Sequence, residues 1–306
     1  MVGERVVRLT ADNPSPMTLD GTNSYLIFGR TSALVIDPGP LDEHHLDALV
    51  AAAKTRGVPI HGIAVTHGHP DHAPGAASLR ARTGAPVYAH GKARFSHDVT
   101  LGDGDTIDRT DVQLRAFDTP GHADDHLVFW LPDDGALFTG DVVVGRGTVV
   151  IAPPRGDMRA YLRTLRRLRD DFPDARVIYG GHGEPATAPR DKLDEYIAHR
   201  IERERQLLAV LAAGERTIPE LVATVYHDVS RIVWPAAARQ VLAYLIALER
   251  EHQVRARTLE RELTQEERAI LNPDLSAMVD PQSAAVAAAE LGYDDAVDRI
   301  QVYRRT

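Results

Sequence analysis

Apolar positions in the first hundred residues follow two alternating periods. Val6-Val7, Tyr25-Leu26-Ile27-Phe28 and Ala33-Leu34-Val35-Ile36 lie within the segments 4–10, 22–29 and 33–37, each bounded by Gly, Pro or Asn, and predict three short strands. From Asp42 to Arg56 the spacing changes: Leu46, Leu49, Val50 and Ala53 fall three and four apart, the stripe of a one-sided helix. A strand over Ile60 to Thr66, a helix around Ala76, Ala77 and Leu79, and a strand from Pro86 to Ala89 follow. Residues 105–150 return to strand patterns around Ile107, Val112 to Leu114, Leu127 to Leu131 and Ala136 to Phe138, with a turn from Pro132 to Gly135. A helix at about 157–171 (Met158, Tyr161, Leu162, Leu165, Leu168) precedes the strand Arg176 to Tyr179. Strands and helices come round twice, the order expected of an α/β (α+β) chain with two sheets face to face and helices outside.

Near residue 190 the pattern becomes long amphipathic helices over 190–213, 217–226 and 235–252. Thr217 with Glu220 three residues on is a capping box, in which each side chain satisfies an orphan backbone N–H. Val254 to Leu259 reads as one strand of a wing, so three helices and a ribbon suggest a winged-helix-like module. Asn272-Pro273, Asp280-Pro281 and the run Ala284 to Ala289 predict one or two small helices beyond it. The expected division is a main domain over 1–190, a helical domain over 191–262 and a tail over 263–306.

The chemistry concentrates at strand ends. The chain has no cysteine, so any metal must be held by His, Asp and Glu. His67, His69, Asp71 and His72 fall within six residues. On an extended stretch His67 and His69 share a side, and the turn at Pro70 lets Asp71 and His72 face a second point nearby. That arrangement suits two ions ~3.5–4 Å apart, with Zn2+ favoured by the donors and Fe or Mn also accommodated. His122, Asp141 and His182 each lie just past an expected strand and beside glycine, whose freedom lets the backbone turn tightly at a ligand.

The run His67 to His72 resembles the HxHxDH motif of the metallo-β-lactamase superfamily, and His122, Asp141 and His182 match its later ligands. The resemblance implies an αββα sandwich over about residues 1–190. It also implies that His67, His69 and His122 hold a first Zn2+, that Asp71, His72 and His182 hold a second, and that Asp141 bridges them. The segments Pro16 to Tyr25, Thr119 to His126 and Ile197 to Arg200, ahead of a winged-helix-like end, are similar to the lactamase-beta-like branch. Its vertebrate members are endoribonucleases on single-stranded RNA. That likeness extends to about residue 262 and leaves out the tail.

His126, four residues after His122, is a candidate proton donor to a leaving group or a structural histidine. Asp124 and Asp125 are candidates for orienting ligand imidazoles or for solvated loop positions, and Asp37 is similarly open. Asn23 is either a substrate contact or a turn residue. His44, His45, His61, His90, His97, His199, His227 and His252 match no ligand spacing and read as ordinary histidines.

The expected function is a dinuclear-metal hydrolase whose bridging hydroxide cleaves a small ester, thioester, lactone or lactam, with Asp71 and Asp141 essential. The alternative is an endoribonuclease on single-stranded RNA, and a third reading makes the helical module a nucleic-acid or partner binder beside a vestigial site. Net charge −9 disfavours bulk phosphate binding, and residues 192–272 hold twelve Arg or Lys against thirteen Asp or Glu. Only a groove of Arg200, Arg203, Arg205 and Arg239 could rescue RNA binding; otherwise the module serves packing or homodimer contacts. No apolar run approaches the roughly 18–20 residues of a bilayer span. Met1 to Arg5 leads straight into strand-like alternation rather than a signal-type stretch. The expectation is therefore a cytoplasmic protein without a membrane partner.

Overall fold

The computed structural model describes residues 5–108, 111–274, 284, 288, 291, 297 and 299–306. Strands β1 (Val6–Thr10), β2 (Asn23–Phe28), β3 (Ala33–Ile36), β4 (Ile60–Ala64), β5 (Val87–His90) and β6 (Val99–Leu101) form one sheet in sequence order. The first three pair antiparallel and the rest parallel, across helices α1 (Glu43–Thr55) and α2 (Gly75–Thr83). The second sheet runs β11 (Val177–Gly180), β10 (Ala136–Gly140), β9 (Leu127–Leu131), β8 (Leu114–Asp118), β7 (Thr106–Ile107). Helix α3 (Met158–Asp171) crosses between β10 and β11, which pair in parallel. The short β6 escapes the sequence pattern because Val99-Thr100-Leu101 offers only two apolar positions.

Alternation along the strands sorts the layers. Tyr25, Ile27, Leu34 and Ile36 face inward onto Phe129, Leu131, Ala136, Phe138 and Val177 of the second sheet. Their neighbours Leu26, Phe28, Ala33 and Val35 face outward onto Leu46 and Leu49 of α1 and Leu79 of α2. Val128, Leu137 and Ile178 meet Tyr161, Leu162 and Leu165 of α3 on the other outer face. This is the αββα sandwich, in which each fully buried aliphatic or aromatic side chain contributes ~1.5–3 kcal/mol.

The core does not break at residue 190. Helix α4 (Pro189–Ala212) puts Leu193, Tyr196 and Ile197 into the cluster of α3, and Leu207 and Leu211 into that of the helical module. The module comprises α5 (Ile218–Val225), α6 (Trp234–Arg250), α7 (Gln265–Leu271) and a three-stranded sheet. Both halves of the predicted Thr217–Glu220 capping box form at the start of α5. In the sheet, β14 (Gln301–Arg305) lies between β12 (Arg216–Thr217) and β13 (Val254–Thr258). Gln301–Arg305, which falls in the expected tail, is thus the central strand of the module's sheet. Of the small helices expected over 284–289, only Ala284 and Ala288 are among the described residues, and both are helical. The stretch Arg231–Arg250 is, contrary to expectation, long and apolar enough by composition to cross a membrane. It is apolar on most sides because 67% of it is buried inside the protein, the position of a core helix.

Candidate metal centre

All seven predicted ligands converge. His67, His69, Asp71 and His72 occupy the loop after β4, His122 follows β8, Asp141 follows β10 and His182 follows β11. Each is almost wholly buried, His122 the most exposed at 6%. Ligand atoms of three groups lie within 4.8 Å of one another: His67, His69 and His122; His67, His72 and Asp141; Asp71, His72 and His182. Nε2 of His122 lies 3.1 Å from Nδ1 of His69. Asp71 Oδ2 stands 3.2 Å from His72 Nε2 and 3.3 Å from His182 Nε2. The Asp141 carboxylate faces both sides, with Oδ1 at 3.5 Å from His72 and Oδ2 at 3.3 Å from His182 and 3.9 Å from His122.

The chemistry of these atoms tests the fit to metal. His67 Nε2, His72 Nε2, His182 Nε2, Asp71 Oδ1 and Asp141 Oδ1 are buried without a hydrogen-bond partner. Five such orphans in one place would be costly unless something binds them, since each desolvated polar atom costs ~1–3 kcal/mol. The opposite ring nitrogens are all engaged: His67 Nδ1 with Thr66 Oγ1, His72 Nδ1 with Asp37, His122 Nδ1 with the Val150 carbonyl, and His182 Nδ1 with the Gly21 carbonyl, at 2.9–3.1 Å. Outer partners of this kind fix the tautomer that leaves the inner nitrogen free for a cation. The residues present fit divalent metal.

Burial, with neighbouring imidazoles, drives the His67 and His69 pKa values well below the usual range. Burial also opposes charge on His72, but Asp71, Asp141 and Asp37 outweigh it and raise its pKa; Asp141 does the same for His182. Burial would raise the Asp71 and Asp141 carboxyls, yet His72 and His182 hold both below the normal carboxylate range. The carboxylates are thus ionised, as ligation requires, and a metal would displace the protons that they hold on His72 and His182.

The residues left open by sequence now have places. Asp37, in a left-handed conformation at φ 49°, accepts from the Thr66 N–H and hydroxyl at 2.7 Å each and from His72 Nδ1 at 2.9 Å, so it orients His72 directly and His67 through Thr66. Asp125 accepts from the Gly68 N–H between two ligands and pairs with Arg155, which also binds Asp124; neither touches a ligand imidazole. Asn23 is part of the scaffold, donating to the Gly180 and Gly183 carbonyls. His126 is 1% exposed and stacked on His67, with Nδ1 on Thr119 Oγ1 and Nε2 accepting from the Asp141 N–H at 3.2 Å. Of its two readings, proton donor or structural histidine, these contacts fit the second: both ring nitrogens are engaged inside the protein, one of them on the backbone of Asp141. Thr22, unnoticed in the sequence, donates to Asp71 Oδ2 at 2.8 Å. At Gly121, φ is +140° and a Cβ would lie 2.3 Å from Tyr161 Cα, so the turn into His122 requires glycine.

A cavity of about 270 Å3 opens beside His122, Asp141 and His182. Met17, Leu19, Val144, Val149, Val150, Val229, Val233, Ala236 and Ala237 make it largely apolar, and α4 and α6 supply one wall. His199, set aside in the sequence, lines it too. No open cationic groove forms from the four arginines considered for RNA. Arg200 is 2% exposed, Arg203 donates to the Val225 carbonyl, Arg205 pairs with Glu202 and Arg239 donates to the Pro153 carbonyl.

Comparison with known proteins agrees with this geometry. Residues 17–182 match the metallo-beta-lactamase superfamily, a span that contains all seven ligands. The chain belongs to the metallo-β-lactamase superfamily. Residues 217–260 match the beta-lactamase associated winged helix domain, so this superfamily member carries both units. Its relatives include a beta-lactamase-like protein 2 homolog of Caenorhabditis elegans, 32% identical over 78% of this chain and 82% of that one. An atrochrysone carboxyl ACP thioesterase of Aspergillus chevalieri is 31% identical over 79% and 80%. A metallo-beta-lactamase family protein from Thermus thermophilus has the same fold, with a TM-score of 0.70 at 24% identity over 84% of this chain and 97% of that one. Superfamily membership, with the buried donor set, makes the protein a metal-dependent hydrolase.

Proposed function

We propose that the protein is a dinuclear zinc hydrolase of a small thioester, ester, lactone or lactam whose acyl group is apolar. The observation that carries this reading is the apolar cavity of about 270 Å3 that opens beside the donor set. Relatives described as thioesterases support it and put thioesters first among the acyl classes. Two ions held by His67, His69 and His122 and by Asp71, His72 and His182, with Asp141 between, would supply a water ionised near neutral pH and a positive charge to polarise the carbonyl. The chain's own residues do the rest. Met17, Leu19, Val149 and Val233 offer the acyl group an apolar wall that excludes water. Thr22 fixes one oxygen of Asp71, and His126 fixes the backbone of Asp141, so both carboxylates present set lone pairs to the site.

The test is a purified, metal-loaded protein assayed for metal content and against thioester, ester, lactone and lactam chromogens, with single-stranded RNA as the rival substrate. The expected result is two zinc equivalents per chain and turnover of a thioester above the other classes. A stoichiometry fixed at one after reconstitution with excess metal counts against two ions, and RNA cleavage outpacing every acyl substrate overturns the substrate assignment.

A further inference from the structure

We propose that Arg200 and Gln240 of the helical module are positioning residues for ligand His122, acting through the backbone of residues 149–151. The observations form one continuous chain. His122 Nδ1 donates to the Val150 carbonyl at 3.0 Å, which leaves Nε2 facing His69 and Asp141. The carbonyl before it, that of Val149, accepts from Arg200 Nη2 at 2.6 Å. The N–H after it, that of Ile151, donates to Gln240 Oε1 at 3.0 Å, and Arg200 Nη1 donates to the same oxygen at 3.1 Å. The segment that aims His122 is therefore gripped on both sides of its aiming carbonyl, by one residue from α4 and one from α6.

Burial makes this grip stiff. Arg200 is 2% exposed and Gln240 4% exposed. Among the described residues no carboxylate lies within 4 Å of Arg200, whose guanidinium stands over the Tyr161 ring at 5.2 Å. Nε of this buried cation has no hydrogen-bond partner, so its bonds to neutral acceptors through Nη1 and Nη2 are what hold it, and breaking them would strand the charge. The inference rests on the ligand assignment above and extends it: the helical module sets the geometry of one donor group, His67, His69 and His122, and leaves the group of Asp71, His72 and His182 alone.

Full-length protein would be stripped of metal and titrated with Co2+, following its absorption, with chelator competition to give the affinity of each step. His122→Ala identifies the step that belongs to the first donor group. Gln240→Leu, nearly isosteric but without an acceptor, is expected to weaken that step ~10–100-fold, as loss of a ligand's outer partner does, while the other step keeps its affinity. Gln240→Glu keeps an acceptor oxygen for Ile151 and Arg200 and should retain both. Because replacing Arg200 itself could prevent folding, Gln240 carries the test, with thermal unfolding of each apo-protein as the check. Equal affinities in wild type and Gln240→Leu, or a loss shared evenly by both steps, overturn the clamp. A wild type that takes up a single ion overturns the two-ion reading alone; the clamp then stands or falls on whether that ion weakens in Gln240→Leu and not in Gln240→Glu.

Discussion

Asp71 and Asp141 supply the only carboxylates in the three donor groups, and each has an oxygen within 3.5 Å of both His72 and His182. Asp71→Ala and Asp141→Ala should each reduce hydrolysis to background, while His227→Ala and His252→Ala, on exposed residues, should leave it near wild type. Steady-state kinetics with circular dichroism as a folding control measures this, and near wild-type turnover in Asp141→Ala would remove it from the metal centre. His199 gives a separate prediction. Burial, then the charges of Arg200 and Arg203, lower its pKa from 6.5 to about 4. The unfolded chain therefore binds the extra proton between about pH 6.5 and 4, and the folded protein loses stability as pH falls through that window. His199→Gln should flatten that part of the stability curve relative to wild type. Parallel Tm profiles of the two proteins over pH 4–7 would contradict the assignment.

At the scale of elements, what the sequence makes legible follows the range of the interaction. Helices α1, α3 and α5 are readable because apolar spacing and the caps Asp42, Asp157 and Thr217 act within a few residues. The ligands are readable because four crowd one loop and three follow strands beside glycine. Strand β14 is not, since Gln301-Val302-Tyr303-Arg304-Arg305 alternates weakly and finds its partners far away in sequence, at Val254–Thr258 and Arg216–Thr217. The Arg200–Gln240 grip escapes for the same reason: two helices and a loop meet only in the folded chain. Deleting residues 299–306 should thus cost more than a frayed end would. It removes Ile300, Val302 and Tyr303, all buried, and leaves β12 and β13 unpaired, a loss of more than ~3 kcal/mol. Calorimetry should find the whole chain melting lower, and an unchanged Tm would mean that β14 is dispensable.

For the whole molecule the question is what the helical module does for a hydrolase. One buried cluster runs from Val128 of β9 through α3 and α4 to Tyr303 of β14, so the module is continuous with the catalytic layer rather than tethered to it. It walls the cavity, and three of its arginines are spent inside the protein: Arg200 on Val149, Arg203 on Val225 and Arg239 on Pro153. With net charge −9 and those cations engaged, an acyl substrate and RNA make opposite predictions about salt. RNA held by several phosphates would lose affinity steeply, log K falling ~0.7 per unit of log salt for each phosphate contact. A small acyl compound in an apolar cavity carries no such counterion term, so its KM should stay nearly constant from low to high salt. We expect the second behaviour with thioester chromogens, and RNA binding too weak to yield a slope, with Asp71→Ala as the blank for contaminating nuclease. Metal-dependent RNA cleavage that is steeply salt-sensitive and absent in the blank would mean that the cationic surface lies elsewhere on the fold, and that the apolar cavity serves a nucleotide rather than an acyl chain.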